Sequence, residues 1–285
     1  MKKNSTGERL EFYNFSDVTI EHLHRYSIVL DIVKNKRVLD MASGEGYGSF
    51  QLSKFAFSVI GVDIDDDSIE NAKKKYGSSN IEFLKGSTSN IPIPDNSIDV
   101  VVSFETIEHH DKHEEMMLEI KRVLTPSGIL IMSSPDKEFY SDKTGQNNIF
   151  HIKELYFLEF RNLINSHFKQ TSYYFQKSHN FNSFISNEKS YKDVVIFSGD
   201  NLNISKIKIE PLYNIVIASD NELQELKTSI FEGSNIKNLE IKQIIEITSL
   251  SIYNSLTFRV GKLICYPIFY LINNKLKRWL KNQFL

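Results

Sequence analysis

The chain has 285 residues, 41% hydrophobic and 25% charged, which is the balance of a folded globular protein rather than a disordered one. Its formal net charge of -2 offers no global field to a polyanion and the first two thirds contain no basic patch, so nucleic acid is excluded as an expected partner. A single cysteine, Cys265, rules out a disulfide framework within the chain and zinc sites of the multi-cysteine kind.

The opening MKKNSTGERLEFYNF has two lysines but no apolar segment behind them, so it is not read as a secretory signal, and a cytoplasmic location is expected. No run reaches the roughly 18 to 20 apolar residues of a spanning helix. A helix is expected over 20–34. Short β-branched runs bounded by Gly, Asp or Pro then predict strands at 37–41, 58–63, 81–84, 98–104 and 129–133. Between them lie expected helices at 48–57, 67–76 and 112–124, with another at 153–167. Strands alternating with helices predict an α/β architecture, a parallel sheet covered on both faces. Two further strands are expected at 168–176 and 213–219, separated by a polar stretch with an apolar run at 194–197. Beyond 221 the pattern reads as a helical stretch and then a basic, aromatic tail.

VLDMASGEGYGS, residues 38–49, reads as a strand end, a glycine-rich turn and a helix start. Its glycines permit positive φ and close approach of the backbone to a ligand, toward which the amides of the following helix turn. About twenty residues on, VIGVDID ends a strand at Asp63, where a carboxylate can accept hydrogen bonds from both hydroxyls of a ribose. The loop and the spaced acid together describe a nucleoside-containing cofactor at the carboxyl ends of the strands. The spacing is not the dinucleotide G-x-G-x-x-G. With Asp40 ahead of the loop it resembles motif I of the class I methyltransferases that use S-adenosylmethionine.

The resemblance extends through most of residues 20–165, including FLKGSTSNIPIPDNSIDVVVSFETIEH and EIKRVLTPSGILIMSSP. It implies a Rossmann-like sheet of seven mostly parallel strands over 1–220 and a C-terminal helical tail over 221–285. It also implies cofactor contacts from Asp40, Ala42, Gly44, Gly46, Asp63, Ile64, Ser87, Thr88 and Phe104. Two positions depart from the family's pattern. Ala42 replaces the usual first glycine of D-x-G-x-G-x-G, and Ser87 stands where many relatives carry the acid that meets the adenine amino group, with Thr88 and Ser89 as weaker substitutes.

SFETIEHH, residues 103–110, follows a strongly apolar run and carries Glu105, Glu108 and His109. On a helical turn the i and i+3 carboxylates share one face with the adjacent imidazole within reach, a donor set suited to Mg2+, Mn2+ or Zn2+. This E-x-x-E-H pattern looks like that of the ubiquinone-pathway O-methyltransferases and of the small-RNA terminal 2'-O-methyltransferases, which add a histidine ahead of a later helix. FHIKELYFLEF, residues 150–160, supplies His151 in a comparable place. The match implies Glu105, Glu108, His109 and His151 as metal ligands, with Glu105, Glu108 and His109 as the catalytic groups. Metal coordination would acidify an acceptor hydroxyl and orient it toward the sulfonium, the proton leaving to His109, His110 or a carboxylate. The alternative without metal has Glu105 capping the next helix or holding the cofactor's amino group, and His109 lining the acceptor pocket. His110 and His113 are expected to face solvent, since KHEEMMLEIKRVL reads as an amphipathic helix with charges outward.

TGERLEF and EHLHRY, with the later SSPDKEFYSD and FHIKEL, resemble a bacterial group of these enzymes associated with surface-glycan assembly. That resemblance implies a sugar or lipid-linked glycan acceptor in O-antigen, capsule or a related polymer. Glu8, Arg9, His24, Arg25, Tyr26, Lys137 and Tyr140 are the pocket candidates. The last stretch, 251–285, interleaves Arg259, Lys262, Lys275, Lys277, Arg278 and Lys281 with apolar residues and Trp279, and it contains no acid. Such a segment suits an anionic membrane interface or a glycan-assembly protein, with packing on the domain as the alternative. The expected activity is O-methyl transfer to a sugar hydroxyl, at the inner face of the cytoplasmic membrane if the tail binds there. The competing readings are methylation of a quinone precursor or amino sugar, and a noncatalytic docking module.

Overall fold

In a computed structural model of the chain, the described residues are 15–145, 147–255, 257–260 and 275. The first half alternates as expected, with α1 (Asp17–Ile28), β1 (Arg37–Met41), α2 (Tyr47–Ser53), β2 (Ser58–Asp63), α3 (Asp66–Tyr76), β3 (Ile81–Lys85), β4 (Ile98–Ser103), α4 (His113–Val123) and β5 (Leu124–Pro135). The second half carries α5 (Phe157–His167), β6 (Gln170–His179), β7 (Asn182–Asn187), α6 (Glu188–Asp193), β8 (Ile196–Gly199), β9 (Ile204–Ile207), β10 (Tyr213–Ser219), β11 (Ser229–Glu232) and α7 (Ser234–Asn254).

One sheet has the order β11-β7-β6-β10-β5-β4-β1-β2-β3, while β8 and β9 pair only with each other. The five strands from β3 to β5 run parallel. The remaining four attach antiparallel. This is the expected Rossmann-like sheet with two strands, β7 and β11, beyond the seven. Chain order reverses between β1 and β4, and at that switch point the carboxyl ends of both strands open a crevice for a ligand.

The apolar runs are buried on both faces because successive side chains of a strand point to opposite sides. On β4, Val100 and Val102 pack with Tyr26, Val29 and Leu52 on one face. Val101 between them joins Met116, Met117, Ile120 and Phe160 on the other.

Three stretches differ from expectation. The first helix ends at Ile28 rather than 34, and the turn after it buries Val29 and Val33 before Asn35 takes φ 59° on the way into β1. The helix expected from 153 begins at Phe157, and ahead of it the amides of Ile152 and Lys153 donate to the Glu108 carbonyl at 2.9 and 3.0 Å. The sheet also runs past 220: β11 pairs with β7, and the Leu226 amide donates to the Tyr174 hydroxyl at 2.8 Å. The first compact unit therefore extends to Ile236, and a second begins at Lys237. Among the described residues no helix is long and apolar enough to cross a membrane. Most of the basic tail, together with Glu8 and Arg9, lies outside the described residues.

His24 stitches α1 to the far end of the sheet, its Nδ1 against Ser183 Oγ and its Nε2 against Ser229 Oγ, both at 2.9 Å. Burial, and then the neighbouring Arg25, pushes its pKa down to about 4. The unfolded imidazole takes its proton near ~6.5. The native state thus binds fewer protons between these values, and stability present above pH ~6.5 is lost as pH falls through about 4, amounting to ~3 kcal/mol. Scanning calorimetry from pH ~7 to ~5 is expected to show a falling thermal midpoint, with a shallower fall in His24→Asn. Equal slopes would remove His24 as a source of acid sensitivity.

Candidate active site

Between β1 and α2 the backbone passes through the left-handed region three times, at Ala42 (φ 58°), Gly44 (53°) and Gly46 (82°). The Ser43 amide donates to the Val62 carbonyl and the Gly46 amide to the Ser43 carbonyl, both at 3.0 Å, which folds the loop against the end of β2. Asp63 locks it there. One carboxylate oxygen accepts the Gly44 amide at 2.8 Å and the other the Asp65 amide at 2.9 Å. Ala42 holds a conformation that costs an L-residue about 1 to 2 kcal/mol. Ala42→Gly is therefore expected to stabilise the fold by about 0.5 to 1 kcal/mol, after the added freedom of glycine in the unfolded chain is subtracted. Urea denaturation measures it, and a destabilised variant would contradict the strain.

Asp40 stands behind the loop. Its oxygens accept from the Tyr26 hydroxyl at 3.1 Å and the Ser49 hydroxyl at 2.6 Å, and burial pushes its pKa up to about 6. It thus braces α1 and α2 behind the loop. Ile64 is 69% exposed beside Asp63, so an apolar side chain lies open next to the expected ribose position. Ser87 and Asn90 close a tight turn after β3, leaving Ser87 and Thr88 half-buried. Phe104 is buried and meets the Tyr26 ring edge-on at 5.1 Å. The buried Ser43 Oγ, Tyr47 hydroxyl, Ser103 Oγ and Arg25 Nε and Nη2 have no hydrogen-bond partner among the described residues. A glycine-lined loop flanked by such polar atoms fits a nucleoside bearing a polar tail.

At the end of β4 the expected four-ligand cluster divides. Glu105 takes φ 50°, and the 3-10 turn starts only at Ile107, so Glu105 and Glu108 do not share the helical face that i, i+3 spacing assumes. Glu105 instead accepts the Ser133 hydroxyl at 2.6 Å and lies 3.9 Å from the Arg25 guanidinium. Glu108, His109 and His151 do converge, with ligand atoms within 4.8 Å of one another. Segment 150–153 is brought to the turn by the Glu108 carbonyl. The His109 Nδ1–H donates to the Phe150 carbonyl at 3.1 Å, and the His151 Nδ1–H to Glu154 at 2.5 Å. Each imidazole then carries its lone pair on Nε2, and an acceptor behind the ring is the usual way to orient a ligating histidine. Two such nitrogens and a buried carboxylate fit a divalent ion of the Zn2+ or Mn2+ kind. Tyr140 stacks on His151 at 5.3 Å and so lines this side of the site.

Other candidates lie elsewhere. His113 is buried rather than solvent-facing, its Nε2–H shared between the carbonyls of Ile107 at 2.9 Å and His110 at 2.8 Å. His110 is only partly exposed. Its Nδ1 accepts the Lys112 amide at 3.2 Å and so is not offered as a base, while burial lowers its pKa. His24, Arg25 and Tyr26 are buried and do not line an open pocket, and the Lys137 ammonium lies over the Tyr156 ring. Sequence reasoning missed Glu154 and Ser133, which orient His151 and Glu105. Glu154, three residues after His151, was the more findable of the two.

The "Methyltransferase domain" family model matches residues 32–196, more than half of the chain. The chain belongs to the methyltransferase domain family. A "probable S-adenosylmethionine-dependent methyltransferase" of Mycolicibacterium smegmatis is 34% identical to it over 128 residues, 45% of this chain and 49% of that protein. A counterpart from Mycobacterium tuberculosis is 32% identical over 157 residues, 53% and 55% of the two chains. This methyltransferase thus spans about half the length of the curated relatives it matches. A fatty-acid O-methyltransferase of Mycolicibacterium smegmatis is 28% identical over 120 residues, 39% of this chain and 44% of its own. In fold, the methyltransferase is similar to the YcgJ protein of Bacillus subtilis, with TM-score 0.51 and 18% identity over 70% of this chain and 100% of that one. A methyltransferase from Archaeoglobus fulgidus gives TM-score 0.51 and 18% identity, covering 71% and 94%. The family implies S-adenosylmethionine as the cofactor.

Proposed function

We propose that this methyltransferase moves the methyl group of S-adenosylmethionine to a hydroxyl oxygen of a sugar in bacterial surface-glycan assembly, assisted by a divalent metal. The observation that carries the chemistry is the convergence of Glu108, His109 and His151 just beyond β4, one of the two strands that flank the switch point of the sheet. Asp63 takes the ribose hydroxyls, and Ile64 covers one face of the adenine. Glu108, His109 and His151 would hold the metal, which would supply Lewis acidity to lower the pKa of an acceptor hydroxyl and orient it. The oxygen attacks the methyl carbon as the bond to sulfur breaks, and its proton passes to a neighbouring carboxylate that does not hold the metal, Glu105. Tyr140, stacked on His151, offers an aromatic platform of the kind that a sugar ring packs against. The sugar acceptor itself rests on the likeness of EHLHRY, SSPDKEFYSD and FHIKEL to glycan-associated enzymes, and a vicinal diol suits a metal-assisted site. The basic aromatic tail would keep the enzyme near lipid-linked glycans on the inner membrane face.

The test is radiolabelled methyl transfer from S-adenosylmethionine into a bacterial glycan and lipid-linked-sugar extract, with and without EDTA. Label in glycan that the chelator abolishes, and that added Mn2+ or Zn2+ restores, is expected. Label surviving EDTA would overturn the metal, and label confined to quinones or other small molecules would overturn the acceptor.

A further inference from the structure

We propose that the two loops at the amino ends of β1 and β2 form a docking patch for an anionic lipid bilayer. The loop between α1 and β1 carries Lys34 and Lys36, and the loop between α2 and β2 carries Lys54, Phe55 and Phe57, all five exposed. Backbone bonds fix the loops side by side. The Asn35 amide donates to the Phe55 carbonyl at 3.0 Å, and the Phe57 amide to the Lys36 carbonyl at 2.9 Å. The Asn80 side chain adds an anchor, its amide donating to the Ser53 carbonyl at 2.8 Å. No basic run is visible in the sequence here, because β1, the glycine loop and α2 separate the two segments. Only the fold assembles the patch.

In these loops Val33 and Ala56 turn inward and are buried in one core cluster with Val38 and Val59. Phe57 is 71% exposed and Phe55 42%. The chain thus places an alanine in the core and two phenylalanines in water, against the direction in which apolar area is stabilised. Single exposed apolar residues are ordinary. Two rings flanking one buried alanine, with lysines from both loops around them, instead make an interfacial anchor, the rings entering the acyl boundary and the ammonium groups meeting headgroup phosphates.

Charge selects the bilayer as the occupant. Lys34 and Lys36 form no ion pair with a described residue, and Lys54 Nζ donates to the neutral Gln51 Oε1 at 2.8 Å. Opposing acids are few. Asp31 is exposed nearby, while Asp99, whose carboxylate also feels Lys36, is gripped by Arg37 at 2.7 and 3.0 Å. Uncompensated ammonium groups beside exposed rings complement an anionic surface with an apolar interior. The patch lies at the amino ends of the strands and the ligand crevice at their carboxyl ends, so docking leaves the crevice open. It belongs to the first compact unit and is independent of the basic tail.

Co-sedimentation of the full chain with phosphatidylcholine vesicles, with and without phosphatidylglycerol, tests the patch. Wild type is expected to bind the anionic vesicles and to leave them in high salt. Phe55→Ser combined with Phe57→Ser should weaken that binding about 10- to 100-fold, the scale of withdrawing two rings from an apolar interface. Lys34→Gln, Lys36→Gln and Lys54→Gln together should weaken it by roughly the same factor on anionic vesicles and leave neutral ones unaffected. Phe197→Ser removes a ring 66% exposed on β8 and should change nothing. Affinity that survives the phenylalanine or the lysine changes would overturn the patch and leave membrane binding to the tail, and an equal loss in Phe197→Ser would overturn it as well. Wild type that ignores anionic vesicles also overturns it, and if Phe57→Ser then alters the sedimentation coefficient, the surface is a contact between copies of this chain. Should the serine variants not fold, Phe57→Trp in a Trp279→Phe background decides the matter. Its emission should shift to the blue and be quenched by brominated anionic lipid, unchanged emission overturning the proposal.

Discussion

Asp63→Ala is expected to weaken S-adenosylmethionine binding at least about 100-fold and to lower stability by about 3 kcal/mol. Two separate losses combine. In the proposed complex the carboxylate would accept from the ribose hydroxyls, and charge-assisted bonds of this type contribute about 1.5 to 3 kcal/mol each. In the free protein it already satisfies the half-buried Gly44 and Asp65 amides, and removing a shared acceptor costs about 1 to 3 kcal/mol for each donor that water does not reach. Asp63→Asn separates the two, since its one carbonyl oxygen can hold the Gly44 amide while its NH2 faces the other donor. It should therefore recover part of the stability and little of the affinity. Calorimetric titration and urea denaturation read both quantities, and an unchanged dissociation constant in Asp63→Ala would take this residue out of the ribose site.

Gly46→Ala should cost about 2 to 5 kcal/mol of stability. The backbone there has φ 82°, a region that charges an L-residue about 1 to 2 kcal/mol. A Cβ would also lie 2.6 Å from Phe83 Cζ and 2.8 Å from Ala72 Cβ, and overpacking a filled core adds about 1 to 3 kcal/mol. Gly44 makes the matched control. Its φ of 53° carries a similar backbone cost, but an added Cβ meets nothing within 4 Å, so Gly44→Ala should cost only the backbone part. For a domain of this size the difference corresponds to a thermal midpoint about 5 °C lower in Gly46→Ala. Equal midpoints in the two variants would show that Phe83 moves aside freely.

Much of the framework is legible in local sequence because its causes are local. The bounds of β1, β2 and β10 follow from β-branched residues alternating between two faces, and the loop follows from glycines where φ must be positive. The position of Asp63 follows from its place at the end of β2. The short TSIFE segment gave no comparable signal, because a run of four residues fits strand or helix, and only its pairing with β7 made it β11.

The arrangement of the polar site depended on partners far away in the chain. By itself the sequence determined a Rossmann-like methyltransferase framework with its glycine loop, and it named Glu105, Glu108, His109 and His151 as a single group. Only the tertiary structure separated Glu105, by turning its backbone to φ 50° and setting it beside Arg25 from α1. Only the tertiary structure joined His151 to Glu108 and His109, by replacing the first turn of an expected helix with bonds to the Glu108 carbonyl. Periodicity and φ preference are properties of neighbouring residues. A buried charge settles wherever its desolvation is best compensated, and the compensating groups come from whichever segments the fold brings together.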